Sequence, residues 1–416
     1  MPSLSANTQA ILLLTAPLIN GKRESNGPSL LSQGAYRRLA KWLHSRSLSP
    51  SDLLGREAAM LAHECEAELD LPPLKPLLDR GFQLSQAVER WNQRSIWVAS
   101  RADAAYPRRL KDRVGDAAPA VIYGCGDPGL LGKGGLAIVG SRNVSDELLQ
   151  YTADVARLSA EAGRTVLSGG ARGVDQAAMR GAGEAEGQVV GILADSLERA
   201  AIRREHRQPL MSGNLTLCSP YDPQAGFNAG HAMQRNKLIY ALADAALIVN
   251  ADFEKGGTWN GAIEQLETYR HIPLFVRDDS RNNKGLEALK RRGARTWPNP
   301  SNPSGLALAL TESPPTQADS TPQSLFESEV PVSNGTSSIG SGSSSSDAEI
   351  VEPAVVLRQC VERLVLSAAM PITESEVAER LDVTKSQARD WLNQLCENGF
   401  LVRRTKPVRY EPAGQD

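Results

Sequence analysis

The stretch SGGARG at residues 168–173 follows an apolar run at 164–167 and precedes a segment with helical periodicity. Glycines let a phosphate approach the backbone so that N–H groups can point at it, and the following helix adds the positive end of its dipole. Arg172 brings a full positive charge into the same loop. These residue types, at this spacing, predict a site for a phosphate or another anion.

Two further loops, after the apolar runs at 136–139 and 245–249, also combine glycine with a cation. In a doubly wound sheet, ligands bind beyond the carboxyl ends of the strands, so we expect all three loops to lie at one sheet edge. The expected phosphate contacts in the three loops are Gly140, Ser141, Arg142, Ser168, Gly169, Gly170, Arg172, Gly173, Lys255, Gly256, Gly257 and Thr258.

A fourth cluster, Arg235, Asn236 and Lys237, is expected at the start of a helix whose other positions are apolar. Its donors either join the glycine loops around a phosphate backbone or form a solvated helix end. Asp175 would lie inside this anion site, so we expect it to brace Arg172 or cap the helix rather than do chemistry.

Familiar phosphate motifs and metal-ligand spacings do not occur in the chain. There is no GxxxxGK[ST] motif, and no GxGxxG motif with a downstream acid. The histidines and the five cysteines show no metal-ligand spacing, and Ser141 and Ser168 have no evident His–Asp partners. We therefore predict no catalytic residue, no metal and no cofactor.

Apolar runs alternate regularly with helical segments between residues 136 and 298. Continuous Val/Ile/Leu runs are typical of strands that are buried on both faces of a parallel sheet. The predicted fold is α/β, with a Rossmann-like doubly wound parallel sheet. The candidate strands are 136–139, 164–167, 188–193, 215–218, 245–249 and 272–276.

Composition divides the chain into four predicted parts. Residues 1–95 read as a small helical domain, and 96–298 as the Rossmann-like domain with a leading lobe of short apolar runs. Residues 299–349 are rich in Ser, Pro and Gly, cannot bury enough apolar surface to offset their ordering entropy, and read as a flexible linker. Residues 350–416 resume a globular pattern.

The C-terminal part has the element order of a winged helix-turn-helix. Capping boxes at 373–376 and 384–387 open two short helices, and a hairpin follows. The domain is expected to contact double-stranded DNA or, since the helix that begins near Glu374 is acidic, another protein. The candidate DNA contacts are Lys385, Arg389, Arg403, Arg404 and Lys406.

The bulk composition favours a chain that works in the cytoplasm. The 416 residues carry a formal net charge of −2, so any anion site must be local. Scattered cysteines fit a reducing compartment. The apolar run at 10–19 is too short to cross a bilayer and is expected to be a packed helix, which predicts no membrane association.

The motifs AIVGSR, SGGARGVDQAAMRGA, QRNKLI and ALIVNA occur in this order, after DAAYPRRL and PAVIYGCGDPGLL. This series resembles the DNA-processing protein A (DprA/Smf) family over about residues 96–297. Gly170 stands where the family usually has Leu, and Met179 where it has His, so the resemblance is to a divergent member.

The resemblance implies a Rossmann-like domain that binds single-stranded DNA without cutting it. It implies a mediator that protects incoming strands and loads a RecA-type recombinase onto them during natural transformation. Relatives commonly pair, so a homodimer is expected. On the matching motifs, the implied DNA contacts are Gly140 to Arg142, Ser168 to Asp175, and Arg235 to Lys237.

An enzyme remains as an alternative. Gly256, Gly257 and Thr258, with Glu264 downstream, resemble the Gly-Gly-x-Gly-Thr-x-x-Glu motif of the LOG phosphoribohydrolases. In those enzymes the loop holds a nucleotide phosphate and the acid assists glycosidic cleavage. Here one glycine is missing and the acid is displaced along the helix.

Overall fold

The architecture was analysed in a computed structural model. It describes residues 4–18, 28–278 and 283–311, and in the C-terminal region residues 373–380, 388–389, 392–393, 395–396, 401–405 and 408–412. The chain divides into two compact units, Met1–Thr316 and Gln317–Asp416.

A nine-stranded sheet organises the first unit. Its order is β1-β2-β6-β5-β4-β3-β7-β8-β9, and all pairs from β6 to β9 are parallel. The strands are β1 (Ile96–Ser100), β2 (Val121–Cys125), β3 (Leu136–Val139), β4 (Val166–Ser168), β5 (Val189–Ile192), β6 (Leu215–Ser219), β7 (Ala245–Ile248), β8 (Leu274–Val276) and β9 (Arg295–Thr296).

Helices cover both faces of this sheet and precede it in the chain. Those before β1 are α1 (Ala6–Thr15), α2 (Gln33–Ser45), α3 (Ala58–Leu69), α4 (Lys75–Leu78) and α5 (Gly81–Gln93). Those within or after the sheet are α6 (Arg108–Val114), α7 (Asp146–Glu161), α8 (Val174–Glu184), α9 (Leu197–Ala201), α10 (Arg204–Met211), α11 (Ala229–Leu242), α12 (Gly256–Glu264), α13 (Lys284–Arg291) and α14 (Pro303–Thr311).

The strand residues separate two apolar cores. Along β3, Leu136 and Ile138 belong to the core that contains residues of α7 and α8, whereas Ala137 and Val139 belong to the core under α11, α12 and α13. This alternation follows from the period of two in a strand. Burial on both faces explains the continuous apolar runs and confirms the predicted Rossmann-like sheet.

Two strands beyond the predicted sheet come from the segment expected to be a connecting lobe. β2 pairs with β6, and β1 with β2, and both pairs are antiparallel. Helices α1 to α5 join the first core here, where the Trp91 and Tyr123 rings meet edge to face at 5.1 Å. The predicted N-terminal helical region therefore packs directly on the mixed edge of the sheet.

Helix α14 occupies the first part of the predicted linker, so the expected linker start at residue 299 is wrong. Asn302 Oδ1 accepts from the Gly305 backbone N–H at 2.8 Å, which caps the helix, and Pro303 suits its first turn. Leu306 is fully buried, and α14 packs on α7. The helical fold of the first unit thus includes residues up to Thr311.

The described residues of the second unit include helix α15 (Glu374–Arg380), short helical stretches between residues 388 and 396, and the hairpin of β10 (Leu401–Thr405) and β11 (Val408–Pro412). The predicted capping box is present, because Thr373 N donates to Glu376 Oε2 at 2.8 Å and Glu376 N donates to the Thr373 hydroxyl at 3.3 Å. Leu392, Leu395 and Tyr410 form its buried core. The helix and the hairpin are two of the elements expected of a winged helix-turn-helix, which stays a prediction.

Candidate nucleic-acid interface

The three glycine loops come from three adjacent strands, β4, β3 and β7. The chain winds outward from β3 in one direction to β6 and then returns to start the other half at β7, so the topology switches between β3 and β7. At that point the Ser141 hydroxyl donates to the Asn250 carbonyl oxygen at 3.4 Å. The loops therefore converge at the crevice where doubly wound sheets bind ligands.

The loop at residues 140–142 interlocks with the start of α8. Gly173 has φ +88°, and a Cβ there would lie 2.5 Å from the Arg142 carbonyl oxygen and 2.8 Å from that of Ser141. Only glycine combines this conformation with this close approach. The two loops are thus held together by backbone packing, while Arg142 and Arg172 extend outward and are exposed.

Three exposed cations surround the crevice: Arg142, Arg172 and Lys255. None of them forms an ion pair with another residue in the part of the chain that the structure describes. The Arg142 guanidinium lies over the ring of Phe227, 4.9 Å from its centroid, and Phe227 is 40% exposed. An arginine resting on an exposed aromatic ring can contact both a phosphate and a stacked base.

Arg235 lies beneath this surface, so its expected role as a phosphate contact is wrong. It is only 5% exposed, and its Nη1 donates to the Ile192 carbonyl oxygen at 2.7 Å. A Cβ at Gly169 would collide with the guanidinium, so glycine is required there. Arg235 supports the second loop from below.

Asp175 pairs electrostatically with Arg235 rather than bracing Arg172. Its Oδ2 accepts from Gly169 N at 3.1 Å and from Ala171 N at 3.4 Å. Burial raises the pKa of this carboxyl, and the charge of Arg235 and the backbone N–H donors oppose that rise. Asp175 therefore shapes the loop from the first turn of α8, the supporting role expected of it.

The side chains of two other expected phosphate contacts form hydrogen bonds within the protein. The Ser168 hydroxyl is buried and donates to the Ile138 carbonyl oxygen at 2.7 Å. Asn236 Nδ2 donates to the Gly257 carbonyl oxygen at 2.9 Å, which ties α11 to the third loop. Both residues fix loop positions from behind the crevice.

Helix α11 begins earlier than its charge pattern predicted. Asn228 caps it by accepting from His231 N at 3.2 Å, so Arg235, Asn236 and Lys237 lie within the helix instead of at its start. The dipole of α11 therefore adds nothing at these three residues.

Lys237 is half-buried, and burial lowers the pKa of its ammonium group, whereas the nearby Glu264 carboxylate opposes that change. Burial in turn raises the pKa of Glu264. Glu264 ends α12, and the six residues from Thr258 place it about 9 Å along the helix axis. That separation removes the acid from the loop and speaks against the LOG-type arrangement.

The C-terminal candidates differ in their surroundings. Arg389 forms an ion pair with the buried Glu374, with 2.9 Å between Nη2 and Oε2, and Glu374 Oε1 accepts from the Tyr410 hydroxyl at 3.1 Å. This engagement counts against Arg389 as a direct DNA contact. Arg404 is exposed. Lys385, Lys406 and the side chain of Arg403 lie outside the described residues.

The geometry of the crevice agrees with a match to a known family. The family model described as DNA recombination-mediator protein A matches residues 97–303. Over these residues the chain belongs to the DprA family. The match covers the sheet from the second residue of β1 onward and all three loops.

Individual relatives agree with this assignment. The DNA processing protein DprA of Bacillus subtilis is 27% identical over 193 residues, which are 46% of this chain and 64% of that protein. The aligned part thus spans less than two thirds of the relative. DprA from Streptococcus pneumoniae has a similar fold, with a TM-score of 0.54 and 16% identity over 74% of this chain and 98% of that one.

A third comparison is with DNA processing protein A from Helicobacter pylori, whose structure was solved to describe its single-stranded DNA binding mode. It is 27% identical and covers 52% of this chain and 96% of that one, with a TM-score of 0.42.

Phe227 is the residue at this site that the sequence analysis missed. It follows Gly226 in the segment between β6 and α11, and its only sequence signal was an aromatic residue in an otherwise small and polar stretch. Its place beside Arg142 depends on the order of the strands, which the local sequence does not encode.

Proposed function

We propose that this chain is a DNA-binding mediator of recombination that holds single-stranded DNA in the crevice and performs no catalytic turnover. The supporting observation is the convergence of three glycine loops with the exposed Arg142, Arg172 and Lys255 at one sheet edge. Backbone N–H groups and cations of this kind follow a phosphate backbone without reading sequence.

The exposed ring beneath Arg142 favours a single strand over a duplex. Bases of a single strand are free to stack on an aromatic side chain, whereas bases in a duplex are already stacked on each other. Phe227 offers such a surface next to the phosphate-binding loops.

The wider role follows the family. We propose that the bound strand is passed to a RecA-type recombinase, as in natural transformation, and that the protein acts in the cytoplasm as a homodimer. No helix in the described part of the chain has the length and apolar character needed to cross a bilayer. Adding the protein to a RecA-type recombinase and single-stranded DNA should speed the formation of the recombinase filament.

Titration of labelled oligonucleotide at several salt concentrations tests the binding proposal. Arg172→Ala should weaken binding and lower the slope of log K against log salt by about 0.7, the value for one phosphate contact on a single strand. Arg180→Ala is a matched control, because Arg180 is also an exposed arginine but lies within α8, six residues after its first residue, Val174. It should leave the slope unchanged.

A parallel assay for free base from nucleoside monophosphates tests the enzyme alternative. We expect none to be released. Base release that Glu264→Ala abolishes, together with an Arg172→Ala variant that binds strands normally, would overturn the mediator proposal.

A further inference from the structure

A second concave site lies beside α11, and its lining contains no residue of the three glycine loops. It is a pocket of about 300 Å³ between the end of α1, the segment before β2 and the segment that joins β6 to α11. Gln33 lines it and donates to the Ala117 and Ala118 carbonyl oxygens at 2.9 and 3.1 Å. Its volume is at the low end of the roughly 300–1,000 Å³ of small-molecule sites, so a small, compact group fits it.

Helix α11 supplies most of the polar groups of this pocket. His231, Gln234 and Leu238 line it at the spacing that places residues on one helix face, and Lys237 lies beside them. Within the described part of the chain, the Gln234 amide makes no hydrogen bond and Lys237 makes no ion pair. The pocket thus offers an amide and a half-buried ammonium group to a ligand.

An acidic group and a flat wall complete the pocket. The Asp222 carboxylate is 5% exposed, and its Oδ1 accepts from Gln224 N at 2.9 Å. The rings of Tyr221 and His231 stack with their centroids 3.7 Å apart, and the Tyr221 hydroxyl donates to the His231 carbonyl oxygen at 2.9 Å. Burial lowers the pKa of His231 and so favours its neutral ring.

This combination of groups selects among ligand classes. A free phosphate is disfavoured by the carboxylate of Asp222, and a purely apolar group by the Lys237 and Gln234 side chains, which would lose hydration without gaining partners. A flat heterocycle with both donor and acceptor edges matches the charge or polarity of all three groups. Its amino groups donate to Asp222, and its ring nitrogen or carbonyl oxygen accepts from Lys237 or Gln234.

We propose that this pocket binds a nucleobase. The base belongs either to a free nucleoside or nucleotide, or to a strand held in the crevice, and the second source rests on the proposed function. Because α11 also carries Arg235 under the second glycine loop and Asn236 against the third, the pocket and the crevice share one rigid support.

Two arms of one experiment on the full chain distinguish the sources. The first titrates free nucleosides and nucleoside monophosphates by calorimetry. The second compares a homopolymer oligonucleotide with an abasic strand of equal phosphate count. Ala225→Phe fills the pocket, and Gln234→Ala removes one polar partner without filling it. Thermal melting confirms that each variant folds, and Arg180→Ala is the control.

Binding of free nucleosides that Ala225→Phe abolishes and Gln234→Ala weakens about tenfold, the loss expected for one or two hydrogen bonds, supports a free ligand. If free nucleosides do not bind, and both variants reduce the higher affinity of the normal strand over the abasic strand, the pocket holds a base of the strand. The proposal is overturned when nucleosides do not bind and both variants keep the full advantage of the normal strand. If the proposed strand binding in the crevice is wrong, neither strand shows salt-dependent binding. The nucleoside titration still tests the pocket in that case.

Discussion

Arg172 and Arg235 have the same side chain and opposite surroundings. Arg172 is exposed at the loop, whereas Arg235 is buried under Gly169 and faces Asp175. The sequence predicted that both would be near the glycine loops, and both are. It did not predict which one would be buried, because that depends on how α11 packs across the ends of β4 and β5.

Replacement of Arg235 should therefore affect stability first. In Arg235→Met the carboxylate of Asp175 remains buried without its cation, and the free energy of unfolding should fall by about 3 kcal/mol. Urea denaturation followed by circular dichroism measures this change. Arg172→Met, on the exposed loop, should change the same quantity by less than about 0.5 kcal/mol. Equal stability of the two variants would contradict the buried role of Arg235.

At the scale of elements, the contact between the first loop and α8 makes a sharper test of the crevice. Gly173→Ala places a methyl group against the Arg142 and Ser141 carbonyl oxygens at a positive φ, and should cost about 1–3 kcal/mol. The displaced loop should also weaken oligonucleotide binding.

Gly183 in the same helix is the matched control, because a Cβ there meets open space. Gly183→Ala should stabilise the protein by about 0.5–1 kcal/mol through the helix propensity of alanine, and leave binding unchanged. Loss of stability in both variants would show that α8 tolerates no added methyl group, and the loop contact would not be the cause.

Helix α14 gives a test of where the fold ends. Leu306→Ala should lower the free energy of unfolding by about 2–4 kcal/mol, because Leu306 is fully buried. Leu308, 55% exposed on the same helix, should change it by less than about 0.5 kcal/mol when replaced by alanine. Denaturant titration distinguishes the two. A negligible effect of Leu306→Ala would restore residues 303–311 to the linker.

The apolar runs predicted the strands of the parallel part, because burial on both faces leaves a continuous pattern that a single sequence reveals. Their ends moved: β4 begins at Val166 and β8 at Leu274, two residues later than expected in each case. The antiparallel edge was not predicted, since short apolar runs carry no information on strand direction. Helix α14 was missed because Ser, Asn and Pro around it read as linker, and Leu306 becomes informative only once α7 is beside it.

For the whole molecule, the division into two units predicts a division of binding. Residues 1–316 contain the complete crevice and should fold alone and keep the salt slope of the full chain. If the C-terminal unit contacts DNA, the full chain should bind long oligonucleotides tighter by about tenfold or more, because one bound unit raises the local concentration for the other.

Fluorescence anisotropy with strands of increasing length measures that difference. Equal affinities of residues 1–316 and the full chain at every length would assign the C-terminal unit to contacts with protein. In residues 1–316, Arg172→Ala should reproduce the reduced salt slope of the full-length variant.

The absence of room above the Arg235 guanidinium has a consequence for how such a chain can diverge. A side chain at position 169 fits only after the residue at position 235 has become smaller. A smaller residue at 235 leaves the Asp175 carboxylate buried without its cation. Each single step should lower the stability of the fold. Positions 169, 175 and 235 should therefore change together or not at all, whereas the outward-facing Arg142, Arg172 and Lys255 can be exchanged one at a time as the ligand demands.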